Sequence, residues 1–165
     1  MSSRTPEELV GELDAGLAWR RKELAALRFA VENSPDLEQP IMIRAAIALV
    51  YAHWEGYVKD AGTRYLKYVA MRRLPYSDLA DHFAALGVCR EASKLVHAES
   101  PDRRVQAYRD LITSQTGNSS LPDTNIIDTG SNLNYKRFEA ILHTLGIDSQ
   151  SYSTREAMID ERLLK

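Results

Sequence analysis

Apolar residues recur along this chain at steps of three and four, the period of an amphipathic α-helix. Thr5-Pro6-Glu7-Glu8 opens the first such segment. Thr5 suits the N-cap, Pro6 the first helical position, and Glu8 completes a capping box at the positive helix end. Leu9, Leu13, Leu17, Leu24, Leu27 and Val31 then predict one long helix to about Asn33, which Ser34-Pro35-Asp36 stops. Pro40 restarts helix, and the run to about Arg73 is the most apolar in the chain. Ile43, Ile47, Val50, Trp54, Val58, Ala61, Tyr65 and Val69 form one stripe, which Ala46, Leu49, Ala52 and Leu66 widen. This breadth predicts a central helix contacted from several sides, with Ile47, Val50, Trp54 and Val58 buried together. Gly56 and Gly62 each cost about 1 kcal/mol relative to Ala inside a helix, and close approach of a neighbouring helix explains them.

Leu74-Pro75-Tyr76-Ser77 breaks the pattern, and Ser77 is placed to cap a third helix carrying Leu79, Phe83, Leu86 and Leu95. Pro101-Asp102 precedes a short helix with Val105, Tyr108, Leu111 and Ile112. Residues 113–130, rich in Ser, Thr, Asn, Gly and Pro, read as one long loop with a brief extended piece at Ile126-Ile127. Ser131 is expected to cap a helix with Leu133, Phe138, Ile141, Leu142 and Leu145, ended by Gly146. A last capping box, Ser153-Thr154-Arg155-Glu156, opens a helix with Met158, Ile159, Leu163 and Leu164. That helix has a strong start and no stop signal, so the chain reads as cut at its C-terminal end. The fold class expected is all-α, a helical bundle of two long N-terminal helices and several shorter ones, in a single domain over residues 1–165.

Composition narrows the functional classes. A hydrophobic share of 44% and a charged share of 27% in 165 residues are ordinary for a globular domain. A net charge of -2 gives no global attraction to nucleic acid, so any RNA contact needs a local basic patch. Arg20-Arg21-Lys22, Arg72-Arg73, Arg103-Arg104 and Lys136-Arg137 are such clusters, but none has interleaved aromatics. One cysteine, Cys89, excludes an internal disulfide framework. Neither a signal-peptide core nor a membrane-spanning stretch is present, the longest apolar run being residues 45–52; the cytoplasm is expected.

The histidines are His53, His82, His97 and His143, none in a metal-binding pair, and there is no phosphate-binding glycine loop or nucleophile elbow. No metal or other cofactor is therefore expected. His53 and Glu55, two apart on a helix, point about 200° away from each other and cannot serve one site directly. Glu55 lies at the edge of the apolar stripe, one turn before Lys59, with which it could pair. Arg137 and His143 are a second candidate. A His can move the proton of a ribose hydroxyl or leaving oxygen while an Arg stabilises the charged phosphorane. Inside one helix they would sit about 120° apart around the axis and ~9 Å along it, poor geometry for one phosphate, so chance spacing is the simpler account.

The run Ala48-Leu49-Val50-Tyr51-Ala52-His53-Trp54-Glu55-Gly56-Tyr57-Val58-Lys59, with Tyr65-Leu66-Lys67-Tyr68 after it, resembles the second-helix signature of MAE-like HEPN nucleases. Thr129-Gly130-Ser131-Asn132-Leu133-Asn134, Ile141-Leu142, Leu145-Gly146-Ile147 and Ile159-Asp160-Glu161-Arg162-Leu163-Leu164 are similar to later segments of that family. The resemblance implies a HEPN helical bundle, usually dimeric, with metal-independent endoribonuclease activity in toxin–antitoxin or phage-defence systems. It implies a catalytic Arg, four to six residues, then His, directly after the segment matching residues 159–164. Lys165 is the last residue, so that motif falls outside the chain. Glu55 matches the family's helix-two acid, expected to support the site from the adjacent helix, whereas Arg137 and His143 lie in an earlier helix and do not align with the motif.

Two functions follow. Either the chain is the body of a HEPN ribonuclease without its catalytic Arg and His, or it is a non-catalytic protein-interaction or RNA-binding module. The expected partners are RNA, a second copy in a homodimer, and an antitoxin or defence-system protein.

Overall fold

The computed structural model describes residues 3–122, 125–130 and 132–163. Among them are five α-helices: α1 (Pro6–Glu32), α2 (Gln39–Arg72), α3 (Asp81–Val96), α4 (Pro101–Gln115) and α5 (Tyr135–Thr144). Short 3-10 turns occupy Tyr76–Asp78 and Gln150–Arg155, and a π-helical turn occupies Met158–Leu163. Among the described residues β-structure is confined to one isolated antiparallel bridge between Pro75 and Asn118, so the fold is all-α. No described helix is long and apolar enough to cross a membrane.

Local signals set the two long helices. The Thr5 hydroxyl accepts from the Glu8 amide at 3.2 Å, and the Glu8 carboxylate accepts from the Thr5 amide at 3.4 Å. This reciprocal pair satisfies donors that the first helical turn leaves orphaned. α1 and α2, joined by a short turn, run antiparallel. Glu12 reaches Arg64 at 2.7 Å, while further along α1 Trp19 meets His53 edge-on at 5.4 Å. Leu9 is buried on α1, and Leu13, Leu17, Leu24, Leu27 and Val31 are half-buried, as their spacing predicts.

α2 is the longest helix, with 34 residues, but its apolar stripe is only partly covered. Val58 and Leu66 are buried and Val50 and Trp54 half-buried, whereas Ile43 and Ile47 are 43% and 44% exposed. The expected common burial of Ile47 with Val50, Trp54 and Val58 is therefore corrected. The core gathers along α2 from Tyr51 onward, where Phe83, Ile127, Leu133, Phe138 and Ile141 pack. Its first turns project past that core. At Gly62 the close neighbour is not a helix but Ile127 of the long loop, whose side chain would lie 3.2 Å from an added Cβ.

The later elements depart from their local signals in several places. The Ser77 hydroxyl bonds to Asp78 rather than capping α3, which begins at Asp81 after Ala80 and has no side-chain cap. Leu79 is buried ahead of α3. α4 extends to Gln115, shortening the expected loop, and leaves Val105, Tyr108 and Ile112 about half exposed. Ile126-Ile127 forms no strand; Ile127 instead plugs the core with 5% exposure. α5 starts at Tyr135 with Asn134 as its cap, so Leu133, fully buried, precedes the helix. The cap expected at Ser131 lies outside the described residues. Gly146 does end α5, in the left-handed region at φ 68°, with its amide and that of Ile147 returning to His143 and Leu142. The regular helix expected after Ser153 is replaced by 3-10 and π turns, and the Ser153 hydroxyl bonds back to Gln150. Ile159, 2% exposed, anchors that segment, while Leu164 lies outside the described residues.

Candidate functional site

Tyr51 and Glu55 stand one turn apart on α2, which puts them on one face. Opposite them lie residues 128–130 and 132–134, which lead into α5. The buried Thr129 hydroxyl donates to Glu55 Oε1 at 2.7 Å. The Tyr51 hydroxyl oxygen accepts from the Leu133 amide at 2.6 Å, and Trp54 Nε1 lies 3.5 Å from the Leu133 carbonyl, to which it donates. Trp54 also packs edge-on against Phe138 of α5 at 4.8 Å. Three side chains from one turn and a quarter of α2 thus clamp the loop that leads into α5. Burial holds the Tyr51 phenol above its usual range; the Leu133 amide opposes this, and the Glu55 carboxylate beside it adds to it.

The loop is braced internally as well. Asp128 accepts from the Gly130 amide at 2.8 Å and from the Arg137 guanidinium at 3.2 Å. Gly130 has φ 62°, and the guanidinium lies where its Cβ would be, so a side chain here would be strained and would have to displace Arg137. Asn134 then accepts from the Arg137 amide at 2.9 Å, opening α5. From the other side Asp160 accepts from the Tyr135 amide at 2.8 Å, docking the Met158–Leu163 turn on the first residue of α5. The clamp, the loop and the C-terminal turn are therefore one connected structure.

Glu55 is bound to Thr129 rather than to Lys59, which is exposed. His53 faces away from it, buried against Trp19, with Nε2 3.1 Å from the Glu23 carboxylate but outside hydrogen-bond geometry. Arg137 borders a surface hollow of about 480 Å³ with Lys136, Asn134 and Ile141; His143, exposed, does not line it. The structure gives Arg137 to the loop and leaves His143 apart from it. A further Arg and His at short spacing, Arg90 and His97, went unnoticed in the sequence. Arg90 lies on α3 and His97 is the residue that ends it, roughly 10 Å further along the axis. Arg90 is engaged by Glu91 at 3.0 Å and Ser120 at 3.0 Å. His97 Nδ1 donates to the Ser93 carbonyl at 2.7 Å. Sequence reasoning also missed Tyr51, Thr129 and Asp160 as polar ties, although all three fall in the segments quoted for the resemblance.

The Tyr51–Trp54–Glu55 face belongs to the helix-two signature, the most specific of those segments, and its hydrogen-bond partners Thr129 and Leu133 belong to another of them. Neither a curated protein nor a solved structure gives a significant match to the chain. The sequence model of the RiboL-PSP-HEPN family does match, over residues 16–165, nearly the whole chain. On this match and its all-helical fold, the chain belongs to the RiboL-PSP-HEPN family, a branch of the HEPN domains, which are nuclease or otherwise RNA-related modules.

Proposed function

We propose that the chain is the body of a HEPN-type, metal-independent endoribonuclease of the toxin or defence class, working on RNA in the cytoplasm. The observation that supports this best is the clamp: Glu55, the acid of helix two, is held at 2.7 Å by Thr129, in the loop that leads to Tyr135, where Asp160 of the Met158–Leu163 turn accepts from the Tyr135 amide. In the MAE-like pattern, the finer branch proposed here, the catalytic Arg and His follow the segment matching residues 159–164. Asp160 of that segment is tied to Tyr135, two residues after the Leu133 that Tyr51 holds. Glu55 is a positioning residue in this reading, with a carboxylate available to orient an Arg or a His brought beside it. Arg137 with His143 remains a runner-up.

The test compares three proteins on single-stranded RNA: residues 1–165, the same chain with His143→Ala, and a version continued past Lys165 along its gene. Slow or absent cleavage is expected from the first two and EDTA-insensitive cleavage from the third, because a proton-transfer group and a cation each contribute about 10²-fold or more. Robust cleavage by the short chain that His143→Ala abolishes would move the site to Arg137 and His143.

A homodimer belongs to this proposal, since closed two-fold pairs are the commonest assembly of soluble proteins. Phe29, Leu37, Ile41, Ile43 and Ile47, all exposed near the joined ends of α1 and α2, offer a face that a second copy would cover. The exposed Val105, Tyr108 and Ile112 on α4 favour the second reading, a non-catalytic module that docks an antitoxin or defence-system protein. If the extended protein also leaves RNA intact, that reading takes its place.

A further inference from the structure

A hollow of about 680 Å³ opens at the far end of α2 from the clamp, walled by its last turns and by the loop after α4. The loop is hooked there by the Ser119 amide, which donates to the Leu74 carbonyl at 2.8 Å, beside the Pro75–Asn118 bridge. Its polar lining is Lys67, Arg73, Asn118, Ser119 and Ser120, with no carboxylate among the lining residues. Among the described residues neither Lys67 nor Arg73 makes an ion pair. Ser119 is only 4% exposed, yet its hydroxyl meets no hydrogen-bond partner among the described residues. A buried hydroxyl left unpaired is costly and calls for an explanation.

Arg73 at the C-terminal end of a helix has an ordinary role in offsetting the negative end of the dipole. That role requires neither Lys67 one and a half turns earlier, nor a hollow, nor an idle serine hydroxyl. Ser120 accepts from Arg90 at 3.0 Å, which leaves its own proton free to donate. Arg90 and Lys94 share the Glu91 carboxylate, so this neighbouring trio carries net positive charge. Two unpaired cations and two serine hydroxyls form a donor set for an oxyanion of high charge. Met71 and Leu121 on the same wall suit the apolar face of a base or ribose.

We infer that this hollow binds a phosphate group, free or carried on a nucleotide or RNA strand, through Lys67, Arg73, Ser119 and Ser120. Lys67 is three turns of α2 beyond Glu55, roughly 18 Å by helical rise, so the site is separate from the clamp. If the phosphate belongs to RNA, the site would hold the strand away from the point of cleavage, and that part rests on the proposed function. Phosphate binding itself does not, since it is read without any cleavage.

The experiment follows backbone amide shifts in residues 1–165 by two-dimensional NMR, titrating inorganic phosphate, adenosine 5′-monophosphate, or a short single-stranded RNA with hydroxyl ends. Sodium chloride of equal ionic strength is the control. Saturable shifts confined to residues 118–121 and the end of α2 are expected. Lys67→Gln with Arg73→Asn should weaken them roughly tenfold or more, asparagine being chosen because it tolerates the left-handed backbone at Arg73, φ 47°. Arg73 is exposed and Lys67 half-buried, and Gln keeps much of the Lys67 stem, so the variant should fold. Ser119→Ala should weaken binding while raising the melting temperature of the free protein, because it deletes an unpaired buried group. A serine with only a structural role would lower that temperature and leave binding unchanged. Response to the small probes marks a free phosphate or nucleotide as ligand, and response to RNA alone marks a strand phosphate. No shift beyond the chloride control, or equal shifts in the double variant, would overturn the inference.

Discussion

Thr129→Val deletes one hydroxyl and keeps the side chain's shape, so it isolates the bond that ties the long loop to α2. That bond is 2.7 Å long, its donor is 2% exposed, and its acceptor is a carboxylate. Hydrogen bonds to charged groups contribute about 1.5–3 kcal/mol. Glu55 is half-buried, so water reaches the oxygen that Thr129 vacates, and the loss should fall near about 1.5 kcal/mol. At this chain length that corresponds to a melting temperature lower by roughly 3–6 °C. Glu55→Ala removes the acceptor, and the double variant completes a thermodynamic cycle. Urea unfolding followed by circular dichroism should show a coupling of about 1–1.5 kcal/mol between the two positions. Glu32→Ala serves as the control: its partner Arg28 is 80% exposed, and the pair is far from the loop, so its effect should simply add to that of Thr129→Val. Coupling between Thr129 and Glu55 below about 0.3 kcal/mol would refute the clamp as the tie between loop and helix.

Two glycine substitutions should have opposite signs. Gly56→Ala meets only Arg20 at 3.7 Å and should stabilise by about 0.5–1 kcal/mol through helix propensity, whereas Gly87→Ala would strike the Tyr76 ring at 2.8 Å and cost about 1–3 kcal/mol; thermal melts distinguish them. Ile47→Glu on the exposed end of α2 should convert a dimer to a monomer in light scattering, and a parent protein that is already monomeric would remove that face from consideration. Lys94, and then Arg90, hold the Glu91 carboxyl below its usual range. The stability this confers is present above pH 4.5 and is lost as pH falls through the lower folded value. Glu91→Gln should therefore flatten the acid limb of stability against pH, and an unchanged limb would show that Glu91 contributes nothing to it.

How far the chain can be read without its structure depends on the range of each signal. The start of α1 at Thr5 with Glu8, the turn around Pro35, the length of α2 and the stop at Gly146 were all legible, because caps and φ preferences act within about four residues. The resemblance, too, identified the right superfamily from short runs of residues. Ser77 and Ser153 carried equally good capping signals and did not cap helices, since their segments gain more by packing Leu79 and Ile159 into the core than by forming regular turns. The periodicity of α2 marked Ile43 and Ile47 as apolar without saying what would lie against them. Only the tertiary arrangement decided that the core begins at Tyr51 and leaves those turns uncovered. Glu55 was marked in the sequence at the edge of the apolar stripe, but its hydrogen-bond partner is 74 positions away, on a loop without periodicity. The same holds for the Lys67–Ser119 hollow, whose walls meet only because Ser119 hooks onto Leu74. Helices are written in the chain by contacts between near neighbours, whereas sites come from contacts between distant ones, and those exist only once the helices have packed.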